Sequence, residues 1–561
     1  MGQAFLQRVL HDPRAGTALL LAVFALVFGR AAGHDFVWDD FANIVDNPHY
    51  AASLSDSLRS TQHDHLDPTL LGSAGLPVAY ESYRPLLFLS YKLDDVAFGR
   101  SPRAMHLHNL LLGALAVLLA GWLFARLLPE PRAALLATAL FALHPLQVEP
   151  LCYVSARGGL LAAVLALLAS GAFWLAITPG IELRRRAFAT LTAVAAFLAS
   201  LAAKEAWLSL PLALAALALV RGRLRAAALP LTSLCAAACL YLALRVVLIG
   251  SELSGVDSAV GMQALARAPA HALAYLRIFV APYDLSIERL AETSVAGLVS
   301  GWVFWAGVGW VALRGMGARS RASGAPLRTA AAGLLWFGVL LAPAAVAIET
   351  MGVRADRYAT LPLFGAALAF GACSAGLWRR LDAGAHLVPG AVGAWLLVCC
   401  IVTVHQVSVW RDNETLYTHS ILVEPASAMA HYRAGVLAAR RHGWPDALEH
   451  FETAERLDAS NLSVLNNLAV AYLNLGRLEA AETALERALA LGGERHFRAW
   501  NNLAQVHFAR AQRGRGCEAL ERSLAINPAY ALARHNHAQL CAAGPAPADA
   551  AQRSAPGAER G

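Results

Sequence analysis

Charged residues are scarce in this chain. Asp, Glu, Lys and Arg make up only 15% of its 561 residues, whereas hydrophobic residues make up 57%. A soluble protein of this length has too little interior to bury so much apolar material. The apolar runs fill positions 16 to about 409, and the remainder has the charge density of an ordinary soluble domain. We therefore expect an integral membrane domain over residues 1–409, followed by a soluble domain.

Cysteine is scarce as well, and its placement excludes a disulfide framework. Eight cysteines are too few for a chain of this length. Five lie inside apolar runs and are expected to be buried thiols: Cys235, Cys239, Cys373, Cys399 and Cys400. The formal net charge of +7 is spread over short Arg clusters between apolar runs rather than along one stripe. Nucleic acid is therefore not expected as a partner.

Apolar stretches long enough to cross a bilayer occur about eleven times. They lie near 16–32, 105–127, 133–149, 159–178, 187–203, 206–220, 226–249, 294–313, 329–348, 358–378 and 386–408. A weaker segment, 268–282, contains Arg277 and is either re-entrant or interfacial. The first run resembles a cleaved signal peptide in its length. We favour a retained helix, because it would anchor the polar loop 33–104 at both ends.

Arginine placement predicts the topology, since Lys and Arg accumulate in cytoplasmic loops. Alternate loops hold Arg126 and Arg132, Arg184 to Arg186, Arg221 to Arg225, Arg314 to Arg328, and Arg379 with Arg380. These loops and the N-terminus are then cytoplasmic. An odd number of crossings places the C-terminal domain outside, and a crossing by 268–282 would reverse that placement.

The soluble part repeats with a period of about 34 residues, the length of a helix–turn–helix tetratricopeptide unit. The aligned positions are Gly435, Ala447, Phe451 and Ala454; Ala469, Ala481, Leu485 and Ala488; and Ala504, Gly516, Leu520 and Ser523. Small residues at these positions let paired helices approach, and larger ones fill the core between them. We predict a tetratricopeptide-repeat α-solenoid with a capping helix over 428–541 and a disordered tail over 543–561.

Asn pairs occupy matching positions of the second and third repeats, at Asn466 and Asn467 and at Asn501 and Asn502. Tetratricopeptide arrays form a concave groove for extended peptides, so these amides are candidates for holding an acceptor peptide backbone. They are equally suited to capping and packing adjacent helices. The sequence leaves both interpretations open.

Acidic and basic residues mix in the loops that this topology puts outside. They are Asp39, Asp40, His144, Glu149, Arg157, Lys204, Glu205, Arg354, Asp356 and Arg357. Ionisable groups near bilayer depth are costly, so a cluster of them is a candidate site. The mixture suits sugar transfer from a lipid-linked phosphate, because a carboxylate can deprotonate the acceptor hydroxyl while cations stabilise the phosphate leaving group.

Several of these residues also have a purely structural interpretation. Lys204 and Glu205 are then an interfacial ion pair, Arg157 snorkels at a helix end, and Asp39 and Asp40 cap the short helix that follows them. Position in the chain alone does not exclude these alternatives.

A metal site is not expected. The sequence His63-Asp64-His65 invites that interpretation, but it lacks further ligands at a closed spacing. A monophosphate donor also needs less charge neutralisation than a pyrophosphate.

Seven motifs followed by repeats resemble the transmembrane and tetratricopeptide-repeat-containing O-mannosyltransferases of the GT-C glycosyltransferase superfamily. The motifs are WDDFANIVDNP (38–48), YRPLLFLSY (83–91), HLHN (106–109), HPLQVEPLCYVSAR (144–157), KE (204–205), YLRIFVAPYDLSI (275–287) and ADRYATLP (355–362). The resemblance spans nearly the whole chain. It implies an all-α, GT-C-type transmembrane helix bundle, a polyprenyl-phosphate sugar donor and inversion at the anomeric carbon.

The resemblance also implies roles for individual residues. Asp39 is the general base, and Asp40 orients it or the acceptor. Binding of donor phosphate or substrate is carried over to Arg84, His144, Glu149, Arg157, Lys204, Glu205, Asp356 and Arg357. Mannose follows from the animal members of the family. The Ala-, Arg- and Leu-heavy composition favours a bacterial source, and with it an undecaprenyl-type carrier in the inner membrane.

Two departures from the family pattern bear on substrate preference. Gly158 and Gly159 follow Arg157 where relatives tend to carry an acidic residue, and the stretch after Ala355 lacks the usual aromatic residue and Ser. Two alternatives therefore stay open beside glycosylation of proteins. One is a glycosyltransferase acting on envelope polysaccharide or lipid, and the other is a non-catalytic membrane scaffold whose repeats gather partner proteins.

Overall fold

The computed structural model of this chain describes residues 12–45, 84–249, 258–283, 285–287, 289–291, 293–314, 325–378, 387–492 and 496–541. These residues are almost entirely helical, so the predicted all-α class is confirmed. They fall into two compact units that divide between Thr415 and Leu416. The predictions for His63-Asp64-His65 and for the tail 543–561 concern residues outside the described ranges.

The first unit is a helix bundle. Its α-helices are α1 Pro13–Phe28, α2 Pro85–Phe98, α3 Pro102–Leu127, α4 Pro131–Leu143, α5 Val148–Cys152, α6 Arg157–Ala176, α7 Leu183–Ala203, α8 Leu210–Val220, α9 Leu224–Ile249, α10 Ser258–Val280, α11 Val295–Arg314, α12 Ala325–Leu341, α13 Ala344–Met351, α14 Pro362–Trp378 and α15 Leu387–Val409. Proline opens α2, α3 and α4 because its fixed φ suits the first helical position, where no N–H is needed.

Short irregular elements connect these helices. They are the 3₁₀ turns Gly29–Gly33, Pro145–Gln147, Val154–Ala156, Glu205–Trp207 and Asp356–Ala359, the π turn Phe41–Val45, and the two-residue strands β1 Arg289–Leu290 and β2 Val353–Arg354, which pair antiparallel. Most of the motif residues lie on or beside these connections.

Seven of the described helices are long and apolar enough to cross a membrane, and nine spans result if each of two bent helix pairs counts as one. The bent pairs, Pro131–Leu143 with Pro145–Cys152 and Pro326–Leu341 with Ala344–Met351, coincide with the predicted stretches 133–149 and 329–348. The shorter apolar helices Glu205–Val220 and Pro362–Trp378 coincide with 206–220 and 358–378. Helix α10, which holds the uncertain segment 268–282, is not among the helices that qualify.

Helices α12 and α14 cross at a pair of glycines. A Cβ built on Gly333 would lie 2.5 Å from the carbonyl oxygen of Gly365, and one on Gly365 would lie 2.3 Å from that of Gly333. The two backbones can approach this closely only because both residues lack a side chain, as is common between membrane helices. This crossing fixes the start of α14, which begins at the last residue of the ADRYATLP motif.

The second unit is the repeat domain. Its helices are α16 Asn413–Val423, which begins in the first unit, α17 Ala428–Arg440, α18 Trp444–Leu457, α19 Leu462–Asn474, α20 Leu478–Gly492, α21 Phe497–Ala509, α22 Arg513–Ile526 and α23 Ala531–Leu540. All twelve aligned positions of the predicted repeats are buried. Gly435 and Gly516 lie directly under the rings of Phe451 and Phe508, where a Cβ would come within 2.7 Å and 2.6 Å.

The cysteines differ from the expectation of buried thiols. Cys399 is buried and Cys400 half-buried, but Cys235, Cys239 and Cys373 are exposed on the outward faces of their helices, so the prediction is wrong for these three. An apolar run does not reveal which face of a membrane helix points outward. The repeat domain contains a disulfide between Cys517 and Cys541, which ties α22 to the end of the capping helix α23.

Candidate active site

The WDD motif forms a sharp turn after α1. Trp38 has a φ of 53°, a left-handed conformation that costs a tryptophan about 1–3 kcal/mol. Two contacts hold it there: its ring stacks on Tyr153 with centroids 5.2 Å apart, and its backbone N–H donates to Oδ1 of Asn413 over 2.8 Å. Because the chain reverses at Trp38, the two following carboxylates are presented to the segment that precedes α6.

The two carboxylates occupy different environments. Asp40 is fully buried, and it accepts hydrogen bonds from the backbone N–H of Val37 (3.1 Å) and from both the N–H and the hydroxyl of Ser155 (2.7 and 2.6 Å). Burial outweighs these bonds and raises the pKa of Asp40 to about 7. Asp39 is only half-buried, and its Oδ2 accepts from the hydroxyl of Tyr153 over 3.3 Å. Of the two, Asp39 has the carboxylate that a substrate can reach.

Glu149 and Arg357 form a buried pair beside this turn. One Glu149 oxygen accepts from the Arg357 guanidinium and the other from the Arg357 backbone N–H over 2.9 Å. The guanidinium lies 5.2 Å above the ring of Trp38, a cation–π contact. Glu149 therefore holds Arg357 against the acidic turn.

Asp356 is held by a residue that the sequence motifs did not include. Arg289, on β1, donates to its carboxylate, and both side chains are buried. Burial raises the pKa of Asp356 although Arg289 opposes that shift. The signal available in the sequence was the position of Arg289, two residues after the YLRIFVAPYDLSI motif. The pair fastens β1 to the segment that carries Arg357.

Lys204 has no ion pair among the described residues, and this distinguishes it from the neighbouring cations. Burial, with Arg84 and Arg357 nearby, lowers the pKa of Lys204 to about 7. Its side chain passes over Gly159, where a Cβ would lie 3.8 Å from the lysine Nζ. A Cβ at Gly158 would lie 3.0 Å from Leu87 and 3.3 Å from the carbonyl oxygen of Ala203. Gly158 thus permits close packing against Leu87 and Ala203, and position 159 lies next to the lysine ammonium.

Arg84 contacts the second residue of the KE motif, Glu205. Its guanidinium donates to both carboxylate oxygens of Glu205, over 2.7 and 3.2 Å, and Arg245 lies 3.9 Å from the same carboxylate. The side chains of Arg84 and Glu205 are each about one-third exposed, at 30% and 33%. The interpretation of Lys204 and Glu205 as an ion pair with each other does not describe these contacts, because Glu205 pairs with the arginines.

Arg157 and His144 are engaged by the protein itself. Arg157 is fully buried and donates to Asp94 (2.6 Å), to Asn109 (2.7 Å) and to the Met105 carbonyl (2.8 Å). His144 uses both ring nitrogens, one toward the Phe279 carbonyl at 3.0 Å and one accepting from the Leu146 N–H at 3.2 Å. Both side chains are fully buried and point toward protein groups rather than toward a surface that a phosphate could reach.

The remaining residues form one continuous electrostatic cluster. Tyr153 experiences the charges of Asp39 and Arg357, and Lys204 experiences those of Arg357, Arg84 and Glu205. The half-buried Asp39 carboxylate and the cations Arg357, Arg84 and Lys204 thus belong to one chain of neighbouring charges at the helix connections. Such an arrangement can remove a proton from one group while it stabilises negative charge on another.

Three of the four candidate asparagines, Asn466, Asn501 and Asn502, are joined by hydrogen bonds to one another and to Asn536 across the repeats. Asn502 donates to Asn466 (2.9 Å), Asn501 donates to Asn502 (3.3 Å), and Asn536 donates to Asn501 (3.1 Å). Asn467 donates to the Tyr432 hydroxyl (3.2 Å). These contacts fit the packing interpretation. The assignment of the four asparagines to a peptide groove stays a prediction.

Comparisons with known proteins match parts of the chain. A tetratricopeptide repeat family model matches residues 444–506. The mouse protein named Protein O-mannosyl-transferase TMTC1 is 31% identical over 158 residues, which is 28% of this chain and 16% of the relative. The mouse protein named Protein O-mannosyl-transferase TMTC4 is 33% identical over 162 residues, 26% of this chain and 21% of the relative. The matches thus span about a fifth or less of the curated relatives.

Solved structures of tetratricopeptide-repeat domains are similar to part of this chain. The Arabidopsis OM64 TPR domain is 18% identical, with 20% of this chain and 93% of that domain covered, at a TM-score of 0.20. A likeness at that score supports no argument about function.

Proposed function

We propose that this chain, whose relatives support its assignment to the transmembrane and tetratricopeptide-repeat-containing O-mannosyltransferases, is a membrane glycosyltransferase. It transfers a sugar, with mannose as the first candidate, from a polyprenyl-phosphate donor to a Ser or Thr hydroxyl of an extracytoplasmic protein. One observation carries the proposal: the half-buried Asp39 belongs to the same electrostatic cluster as Lys204, which has no ion pair among the described residues.

In this mechanism Asp39 takes the proton from the acceptor hydroxyl. The hydroxyl oxygen attacks the anomeric carbon from the face opposite the phosphate, and the bond between that carbon and the phosphate oxygen breaks. The leaving phosphate keeps the electron pair, and a single displacement inverts the configuration. A positioned base contributes about 10²–10⁴-fold to such a step. Tyr153 and the turn at Trp38 hold the Asp39 carboxylate in place.

Lys204 is the primary contact for the phosphate. Arg84 and Arg357 already neutralise Glu205 and Glu149, whereas Lys204 has no carboxylate partner among the described residues. An acidic side chain at position 159 would pair with Lys204, given the 3.8 Å between a Cβ there and Nζ. Gly159, one of the two glycines that depart from the family pattern, therefore keeps the lysine available to the donor. Arg157 has a positioning role, because it joins α2, α3 and α6.

The pKa of Lys204 predicts a pH dependence. Only the protonated ammonium attracts the phosphate, so kcat/KM for the donor should fall about tenfold per pH unit above pH 7. Lys204→Arg keeps its charge throughout this range and should flatten the alkaline limb. The measurement is transfer from polyprenyl-phosphate mannose between pH 6 and 9, in membranes containing either protein. An alkaline limb unchanged in Lys204→Arg would remove Lys204 from the donor site.

The repeat domain is proposed to lie outside the cytoplasm, on the side of the acceptor. The Cys517–Cys541 disulfide supports this side, because disulfides persist in oxidising compartments and are rare in the cytosol. In this proposal the chain lies in a bacterial inner membrane, its N-terminus is cytoplasmic, and the repeats gather the acceptor protein.

Thiol labelling tests this topology. A membrane-impermeant maleimide applied to spheroplasts should label Cys517 and Cys541 only after reduction, without permeabilisation. A Cys517→Ser/Cys541→Ser variant is the control and should lose that labelling. Labelling that requires a permeabilised membrane would place the repeats inside and would contradict the proposed side.

A further inference from the structure

A second basic cluster lies at the opposite end of α6 from the candidate active site. Arg157 begins α6, and Trp174 lies about 25 Å further along it at 1.5 Å per residue. Helices α3 and α8 end close to Trp174, and Arg221 and Arg223 lie in the turn from α8 to α9. We call Trp122, Arg126, Trp174, Arg221 and Arg223 the Trp174 cluster.

The arginines of the Trp174 cluster lie against indole rings. The guanidinium carbons of Arg223 and Arg221 are 4.8 and 5.9 Å from the ring centroid of Trp174. That of Arg126 is 3.7 Å from the ring centroid of Trp122. The two rings are neighbours, because Trp122 packs on Gly171, where a Cβ would lie 3.1 Å from the ring, and Gly171 is about one helical turn from Trp174.

Among the described residues, no carboxylate pairs with the arginines of this cluster. Across the described ranges, neither Arg221 nor Arg223 has a carboxylate within the 4.0 Å of an ion pair. Arg221 donates to the Leu127 carbonyl at the end of α3, but its Nε is buried without a hydrogen-bond partner. Burial, with Arg223 and Arg328 close by, lowers the pKa of Arg221 to about 10. An anion at this point would relieve the mutual repulsion.

Topology alone does not account for this arrangement. The run Arg184 to Arg186 also lies at a helix end, and there Arg185 is 77% exposed and pairs with Glu182 at 3.4 Å. A solvent-exposed run of that kind is what the preference for Lys and Arg in cytoplasmic loops produces. The Trp174 cluster instead gathers its arginines from the end of α3 and from the turn between α8 and α9 around two aromatic rings, and it buries part of one guanidinium.

We propose that the Trp174 cluster binds the phosphate of an anionic membrane lipid. Its residues lie at the ends of spanning helices, which is the level of the lipid headgroups, and Trp is enriched at that level. The planar guanidinium matches two phosphate oxygens, and basic pockets between membrane helices hold anionic headgroups. This site is separate from the proposed sugar transfer and does not depend on it.

Native mass spectrometry of the full-length protein tests the site. Protein from nanodiscs containing phosphatidylglycerol and phosphatidylcholine should retain one phosphatidylglycerol in preference to phosphatidylcholine. Arg223→Gln should lower this retention at least tenfold. Arg223 is a better position for the test than Arg221, because its side chain makes no hydrogen bond within the described ranges, whereas Arg221 bonds to the end of α3. Arg185→Gln is the matched control and should retain the lipid as the wild type does.

Three outcomes would overturn the proposal. The first is equal retention of the two lipids by the wild type, and the second is undiminished retention by Arg223→Gln. The third concerns the source of the phosphate: a thermal shift by millimolar inorganic phosphate that equals the shift by phosphatidylglycerol would show an ion site rather than a lipid site. The variants are compared after the melting temperature of Arg223→Gln has shown that this protein is folded.

Discussion

Asp39→Asn should reduce sugar transfer about 10³-fold, within the range that a general base contributes, while the protein still inserts and folds. Asn keeps the shape of the side chain and an oxygen that accepts from Tyr153, but it cannot take a proton from the acceptor hydroxyl. Because Asp39 is only half-buried, the substitution should change the free energy of unfolding little. The measurement is transfer from polyprenyl-phosphate mannose by membranes, with comparative glycan mass spectrometry of cells that carry each protein.

Two control variants separate catalysis from structure. Asp35→Asn changes an exposed carboxylate near the same turn and should leave transfer unchanged. Asp40→Asn should lower both transfer and stability, because the buried Asp40 accepts hydrogen bonds at both of its oxygens. Full activity of Asp39→Asn would remove the base assignment. Normal complementation by an Asp39→Ala/Asp40→Ala variant would favour a non-catalytic scaffold. If Asp39→Asn cells lose only envelope polysaccharide and keep their protein glycans, a polysaccharide acceptor would be favoured.

Arg157→Gln should lower the free energy of unfolding by about 3–5 kcal/mol, the usual effect of breaking a buried ion pair. The substitution leaves the buried Asp94 without its closest cation and removes donors from Asn109 and from the Met105 carbonyl. Thermal unfolding of the purified protein in detergent measures the effect as a large fall in melting temperature.

Arg84→Gln is the comparison for this prediction. Its bidentate pair with Glu205 is about one-third exposed, so water can replace the lost contacts and the effect on stability should be much smaller. A variant Arg157→Gln with wild-type stability but weakened donor affinity would contradict the structural role. That result would return Arg157 to the donor site, as the family resemblance suggested.

The repeat domain was largely predictable because its information is local. A period of about 34 residues fixes which small residues face each other, and positions such as Gly435 and Ala481 are buried as expected. The membrane stretches were predictable for the same reason, since length and apolar composition are properties of one segment. The bends in two of these stretches were not predicted, although Pro145 and Pro343 lie at the two breaks and proline ends or kinks a helix. The contacts of His144 to Phe279 and Leu146 then hold the first break in place.

The sequence by itself determined the all-α class, the positions of the apolar helices and of the repeats, and the presence of acidic and basic residues at their connections. Only the tertiary structure decided which of those residues are accessible. Arg157 and Lys204 are alike in the sequence, yet one is enclosed by Asp94, Asn109 and a carbonyl while the other has no ion pair among the described residues. Their partners lie on helices far away in the chain. Burial and neighbouring charge, which govern what an ionisable group can do, therefore arise only when those helices pack.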